Sequence, residues 1–489
     1  MILEVLISFL LKLQDKKLII AISVLGFSII FLLISFGQIF SRWDLLQQIA
    51  MADRYLNGSS LYPYPGIEGF ADGGVSGYFP GLAMIAIIFG NLFDGDSLIY
   101  FFSFLSLFVT LWFIYLLTII TNKISNVNNT SSLFLLYIAC TCLFFEDYLF
   151  YSTEFKPDTI ALAIGLASII YSGLLEKKPN QIIKLIFMGM ICGSAIIFKQ
   201  QYIAFIFSLI IYSLINLSRS SIIFSVSAFL SSVLILYFLS YFDNIWFWTI
   251  NVYKDDGFMG VKSFLQINQI LIKNFLLFTL IFYYFYGKQP ILKFLVYKNL
   301  LIKIFNILKT SPIYLVLMST SSAAILSGIK MGGNSGNVGL GFLLMLPIFF
   351  SWLKKIDLKL ITIMCFTSLM ILMPSGLNTF SRYFLYQELS KEIEMSLENN
   401  LNVKNLKVLV GSDVYGVSRK FFKNNQIADY WTASTVANET ILKEVVENYV
   451  FDLLIIETHS KEKFIASKSK IKYEVIFQNE IGFVARLKE

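Results

Sequence analysis

The chain has 489 residues, of which 56% are apolar and only 15% charged, with a formal net charge of +7. A soluble domain carries about a quarter charged residues, so this chain cannot cover its own surface with polar groups and must meet lipid. The composition also speaks against nucleic-acid binding, because the basic residues are dispersed as flanks of apolar runs rather than gathered on one face.

A bilayer core about 30 Å thick takes about 20 apolar residues per helix. Runs of that kind recur to about residue 375 and predict an α-helical polytopic membrane protein with about eleven spans. They lie near 18–40, 97–120, 131–146, 159–175, 184–198, 202–217, 220–241, 270–287, 312–329, 337–353 and 357–375. The first run, Leu18 to Phe40, is longer than a signal-peptide core and has no small-residue cleavage site behind it, so it reads as a retained span. Residues 79–93 open with Pro80 and Gly81 and are too short to cross; an interfacial or re-entrant helix is expected there. With the amino terminus in the cytoplasm, this threading places sixteen Lys and Arg on the cytoplasmic side and eight on the other before the C-terminal region. That is the bias of cytoplasmic loops. Counting 79–93 as a span scatters the lysines over both sides.

Cys140, Cys142, Cys192 and Cys365 fall inside apolar runs and read as packing residues. The single histidine, His459, lies beyond the spans, which argues against a His-based metal centre; a divalent cation is otherwise left open. No internal repeat is visible. From Ser381 the pattern changes. Lys407 to Gly411 and Phe451 to Glu457 are short β-rich runs, Ile441 to Tyr449 looks helical, and Tyr473 to Leu487 looks like a hairpin turning at Asn479–Glu480. Two domains are expected: a membrane domain over 1–380 with a large first loop at 41–96, and a small α/β domain over 381–489. The long loops and this second domain emerge on one face, the extracytoplasmic one.

That face holds most of the unusual polar chemistry. After Ser41-Arg42-Trp43-Asp44, the residues Leu45, Ile49, Ala52 and Leu56 recur at spacings of three or four. They predict an interfacial helix over 44–57 ended by Gly58. Asp44 is either its anionic cap or something more. Tyr62, Tyr64 and Tyr78-Phe79-Pro80-Gly81 follow; taken singly, interfacial tyrosines are ordinary anchors. Glu146 and Asp147 then precede Tyr151-Ser152-Thr153-Glu154-Phe155-Lys156-Pro157-Asp158, where Pro157 suits a helix start. Ionisable residues wedged between two spans are costly unless they face water or one another; the plainer reading is a solvated turn. Lys199 separates two apolar runs by almost nothing. It either snorkels or, with Lys156, Lys330 and Arg382 on a face where topology disfavours cations, meets an anionic ligand. The turn after Lys330 is Gly-rich and offers backbone amides to a phosphate.

In this order the features resemble the GT-C superfamily of glycosyltransferases, particularly family 39 and the aminoarabinose-transferase-like branch, over roughly residues 42–201. The resemblance implies an enzyme that takes a sugar from a polyprenyl-phosphate donor at the extracytoplasmic face of the cytoplasmic membrane and passes it to a glycan, lipid or protein. It implies that Asp44 is the general base, that Asp158 helps organise sugar or acceptor, and that Tyr78 and Pro80 line the site. Lys156, Lys199 and Lys330 are candidates for the lipid phosphate, with Glu154 and Arg382 beside them. The alternatives are a transporter or flippase of a lipid-linked sugar, and a polysaccharide polymerase or ligase. A transporter site lies near the bilayer midplane between repeated halves, whereas here the polar residues gather at one surface.

Overall fold

The computed structural model describes residues 16–38, 43–62, 78–125, 130–175, 181–249, 312–329, 335–350 and 358–398, apart from a few single positions, and the strands and turns of a sheet between 408 and 487. The expected span 270–287, the expected helix 441–449, Lys330 and His459 lie outside the described residues.

The first span is α1, Lys16–Gly37, whose length at 1.5 Å per residue, about 33 Å, suits a bilayer core. The helix expected over 44–57 follows as α2, Trp43–Leu56, and Gly58 ends it in the left-handed region at φ +86°. The short element after the first loop is α3, Gly81–Gly90, too short to cross. Next come α4 Ser97–Ser125, α5 Thr130–Leu143, α6 Glu146–Thr153 and α7 Pro157–Ser172. Then follow α8 Ile182–Ser194, α9 Ile203–Asn216, α10 Arg219–Leu239 and α11 Ile245–Thr249. The bundle closes with α12 Pro312–Ile329, α13 Ser335–Phe350 and α14 Leu358–Glu398.

Among the described residues, four helices are long and apolar enough to cross a bilayer unaided, and several shorter apolar helices pack beside them. The chain is a multi-pass membrane protein. Leu230, Val233, Leu234, Tyr237 and Phe238 of α10 remain exposed, an apolar surface suited to lipid.

Two features depart from the sequence-based expectation. The run expected as one span at 131–146 breaks after Leu143, and α6 leaves α5 at 92°. Also, α14 does not end where polar residues begin near Ser381. It continues to Glu398, about 62 Å in all, so that its second half runs on as a stalk toward the C-terminal strands. On that half Tyr386, Leu389, Ile393 and Leu397 recur at helical spacing on one face, and all are buried. They pack with Val408, Val410, Leu453, Ile455 and Val484.

The C-terminal residues form a five-stranded sheet from β1 Val408–Val410, β2 Ile427–Asp429, β3 Leu453–Glu457, β4 Tyr473–Gln478 and β5 Gly482–Leu487. Its order is β2-β1-β3-β5-β4. β1 pairs in parallel with β2 and β3, while β5 runs antiparallel to both β3 and β4. Asn479 turns the β4–β5 hairpin by accepting from the Ile481 and Gly482 amides at 2.9 and 3.0 Å, and its own amide donates to the Leu385 carbonyl at 3.0 Å. One side chain thus makes the turn and fastens the sheet to α14.

At the end of the bundle where α1 exits, α1 and α14 touch backbone to backbone. A Cβ added at Gly37 meets the Thr379 carbonyl oxygen at 2.1 Å and its carbon at 2.3 Å. Because the obstacle is main chain rather than a flexible side chain, Gly37→Ala is expected to prise the two helices apart. A loss of about 1–3 kcal/mol follows from such overpacking, seen as a lower unfolding temperature in detergent; an unchanged temperature would mean that the crossing is looser than described.

Candidate active site

The residues singled out in the sequence come from four separate elements, and local structure explains how each arrives. Asp44 stands in the first turn of α2, where the exposed N–H groups favour an anion. Tyr78 lies three residues before α3 and is held there by its backbone: the Tyr62 hydroxyl donates to the Tyr78 carbonyl at 2.8 Å. Pro80 directly precedes α3, and Gly81 begins it because the break after α8 lies against it. A Cβ on Gly81 meets the Ile197 carbonyl oxygen at 2.8 Å and the Phe198 ring at 2.6 Å. That break is where Lys199 sits, extended (φ −154°, ψ 130°) between two short 3-10 turns.

The bend between α5 and α6 supplies the rest. α6 turns across the bundle end and stops at Glu154, and Phe155 then adopts φ +54°. A bulky residue in that region is a strained outlier. Its ring is buried and packs on Phe102, centroids 5.3 Å apart, which holds the turn. Lys156 is the residue before α7, Pro157 is the first helical residue, and Asp158 lies in the first turn.

The side chains meet in one network. The Lys156 ammonium bonds both the Asp44 carboxylate and Glu154 Oε2, the latter at 2.6 Å. The Lys199 ammonium bonds Asp158 Oδ2 at 2.6 Å, and the Tyr151 hydroxyl donates to that same oxygen at 2.6 Å. Tyr78 joins the two halves: its hydroxyl donates to Asp44 Oδ2 at 3.3 Å, while its ring lies 4.5 Å from the Lys199 ammonium. Lys156 lies 4.8 Å from the Tyr151 ring in the same way. Both lysines are 4% exposed, so neither snorkels to the surface. Burial alone disfavours the Lys156 charge, but Asp44 and then Glu154 outweigh it and hold the ammonium above its ordinary value. Three carboxylates and two ammoniums leave one net negative charge. A narrow cleft opens beside Asp158 and Lys199, lined also by Gln201, Tyr202, Thr320 and Ser327.

Arg382 is exposed on the stalk half of α14 and is not brought into the network. Tyr151 is the residue that sequence reasoning passed over as part of a motif. Its one signal was its place seven residues before Asp158, which carries no weight until the bend at α6 is known. Among the described residues no group of three or more His, Cys, Asp and Glu is arranged to hold a metal.

The comparisons with known proteins bear on the family and the fold. Residues 80–244 match the family model of dolichyl-phosphate-mannose-protein mannosyltransferase; the match includes Lys156, Asp158 and Lys199 but begins after Asp44. The crystal structure of ArnT from Cupriavidus metallidurans bound to undecaprenyl phosphate is similar in fold, with TM-score 0.55 and 11% identity over 96% of this chain and 97% of that one. The apo structure of the same protein gives TM-score 0.55 and 10% identity over the same shares. No curated protein matches the chain in sequence. Family model and fold together support a GT-C superfamily glycosyltransferase.

Proposed function

We propose that this chain transfers a sugar from a polyprenyl-phosphate donor to an acceptor hydroxyl at the extracytoplasmic face of the cell membrane, by a single inverting displacement. The observation that carries this reading is the convergence of Asp44 and Asp158, 114 positions apart in sequence, in one ion-paired network. It stands where a short interfacial helix, a half-helix and two broken spans meet at the end of a membrane bundle. In this reading about eleven spans form the membrane domain. The C-terminal α/β sheet, with its stalk, stands on the same side as the site.

The step is simple. The acceptor oxygen attacks the anomeric carbon, the bond from that carbon to the phosphate oxygen breaks, and the leaving polyprenyl phosphate takes the electron pair. Asp44 takes the acceptor proton. The charge balance of the site fits this order. Before reaction each ammonium is committed to carboxylates, and the network already carries one negative charge in excess. When Asp44 becomes neutral, Lys156 loses the stronger claim on its charge just as negative charge develops on the departing phosphate, which it can then stabilise. Glu154 keeps Lys156 in place meanwhile. Asp158, fixed by Tyr151 and Lys199, orients sugar hydroxyls above the cleft. Lys330 belongs to this proposal as a further cation toward the phosphate, and Arg382 only as a surface contact of the donor.

The test uses the full chain in lipid nanodiscs with polyprenyl phosphate carrying radiolabelled sugars. Release of free polyprenyl phosphate with transfer of label is the expected result. In sealed vesicles, movement of intact donor across the membrane without cleavage would instead make this a transporter, and turnover only of a polyprenyl-pyrophosphate sugar supplied in parallel would make it a polymerase or ligase.

A further inference from the structure

Beside Asp44 the same face of α2 carries two glutamines that the proposed chemistry leaves unused. Gln47 and Gln48 stand three and four residues on from Asp44, so all three side chains lie within one helical turn, neighbours at about 5–6 Å between Cβ atoms. Both glutamines are enclosed, at 5% and 0% exposure, much as Asp44 is at 7%. In both, the amide nitrogen is buried with no hydrogen-bond partner among the described residues.

For Gln48 this cannot be cured by turning the amide over. Its Oε1 accepts the Ala83 backbone N–H at 3.0 Å. Ala83 lies in the first turn of α3, where N–H groups have no partner within the helix, so the oxygen must face that donor and the NH2 group must face away from it. The Gln48 NH2 group is therefore fixed in direction as a neutral donor, and the enclosed Gln47 amide lies within the same turn of the carboxylate that receives the acceptor proton. Burying polar donors unpaired is costly, and native proteins rarely do so without a reason.

We infer that the amides of Gln47 and Gln48 are an acceptor subsite, and that the acceptor is a saccharide. The inference rests on the proposed transferase reading. A neutral amide donor is suited to hydroxyl lone pairs and has no charge to offer an anion. A sugar presents one hydroxyl to Asp44 and neighbouring hydroxyls to the two amides at once. A lone serine or threonine side chain presents a single hydroxyl, and a phosphate would be better met by the lysines.

The test is saturation-transfer NMR on the full chain in nanodiscs, without donor. The probes are methyl mannopyranoside, methyl glucopyranoside and maltotriose, with N-acetylserinamide as the peptide-like competitor. At least one saccharide is expected to bind and the serinamide not. Gln47→Met removes the donor while keeping the shape, and Gln48→Glu keeps the acceptor for Ala83 while removing the donor. Each is expected to weaken saccharide binding about tenfold, the size of one well-placed hydrogen bond in a site built for it. The unfolding temperature of Gln47→Met should not fall, since an unpartnered amide is replaced by an apolar group. The inference is overturned if no saccharide binds, if serinamide binds as well, if the variants bind like wild type, or if binding and unfolding temperature fall together in Gln47→Met. Because no donor is needed, a protein that binds saccharide yet cleaves no donor sinks the transferase reading, whereas a protein that cleaves donor but ignores saccharide sinks only this one.

Discussion

Asp44→Asn is expected to lower the rate of sugar transfer by about 10²–10⁴-fold, the usual worth of a positioned general base, while leaving donor affinity and folding nearly intact. The reason the fold should survive lies in how Lys156 is shared. With Asp44 neutralised, Lys156 keeps Glu154 at 2.6 Å, so no buried ammonium is left without a counter-charge. The asparagine side chain still accepts from Tyr78, whose backbone is fixed independently by Tyr62. The loss should therefore appear in kcat with little change in the donor KM, the pattern of an interaction made only in the transition state. Initial rates with labelled donor, together with unfolding temperature, decide the matter. Turnover near that of the unaltered protein would remove Asp44 as the base.

Much of this arrangement was open to reading in advance, for identifiable reasons. Hydrophobic periodicity and length are local, and they place α1, α2 and α12 within a few residues of the observed bounds. The short α3 was marked by Pro80 and Gly81. The Asn479 turn was marked by its flanking β-rich runs. Direction is not local. Phe144 and Phe145 are as apolar as the residues before them, so nothing in composition announces that the chain swings by 92° there. The stalk was missed for the opposite reason: from Ser381 polar residues multiply, which looks like the start of a new domain, yet they continue one helix to Glu398 because only one of its faces has to be apolar.

The site was legible as parts and not as pairs. Lys156 and Lys199 stood out because they sit where charge topology does not favour cations, and that anomaly is what the ion pairs answer. Which carboxylate each would meet depends on the bend at α6 and on the break after α8, both tertiary. Gln47 and Gln48 gave no signal at all: glutamine on an amphipathic helix is unremarkable until its partners can be counted.

The second large effect concerns Lys199. It ties the break between α8 and α9 to the first turn of α7 through Asp158, across 41 positions. Both side chains are largely enclosed, 4% and 14% exposed, so Lys199→Met leaves a buried carboxylate with the Tyr151 hydroxyl and the N-terminal end of α7 as its remaining support. Breaking such a pair from one side costs about 3–5 kcal/mol, and a steep fall in unfolding temperature is expected. Lys199→Met combined with Asp158→Leu should recover much of that loss, because removing both charges spares the desolvation that the pair had to offset. Activity should not return with it. A double variant that is stable but inactive assigns the pair to the chemistry, whereas one that is stable and active reduces it to a clasp between helices. A single variant as stable as the unaltered protein would mean that water reaches Asp158 freely, and the cleft beside it would then be far more open than its lining implies.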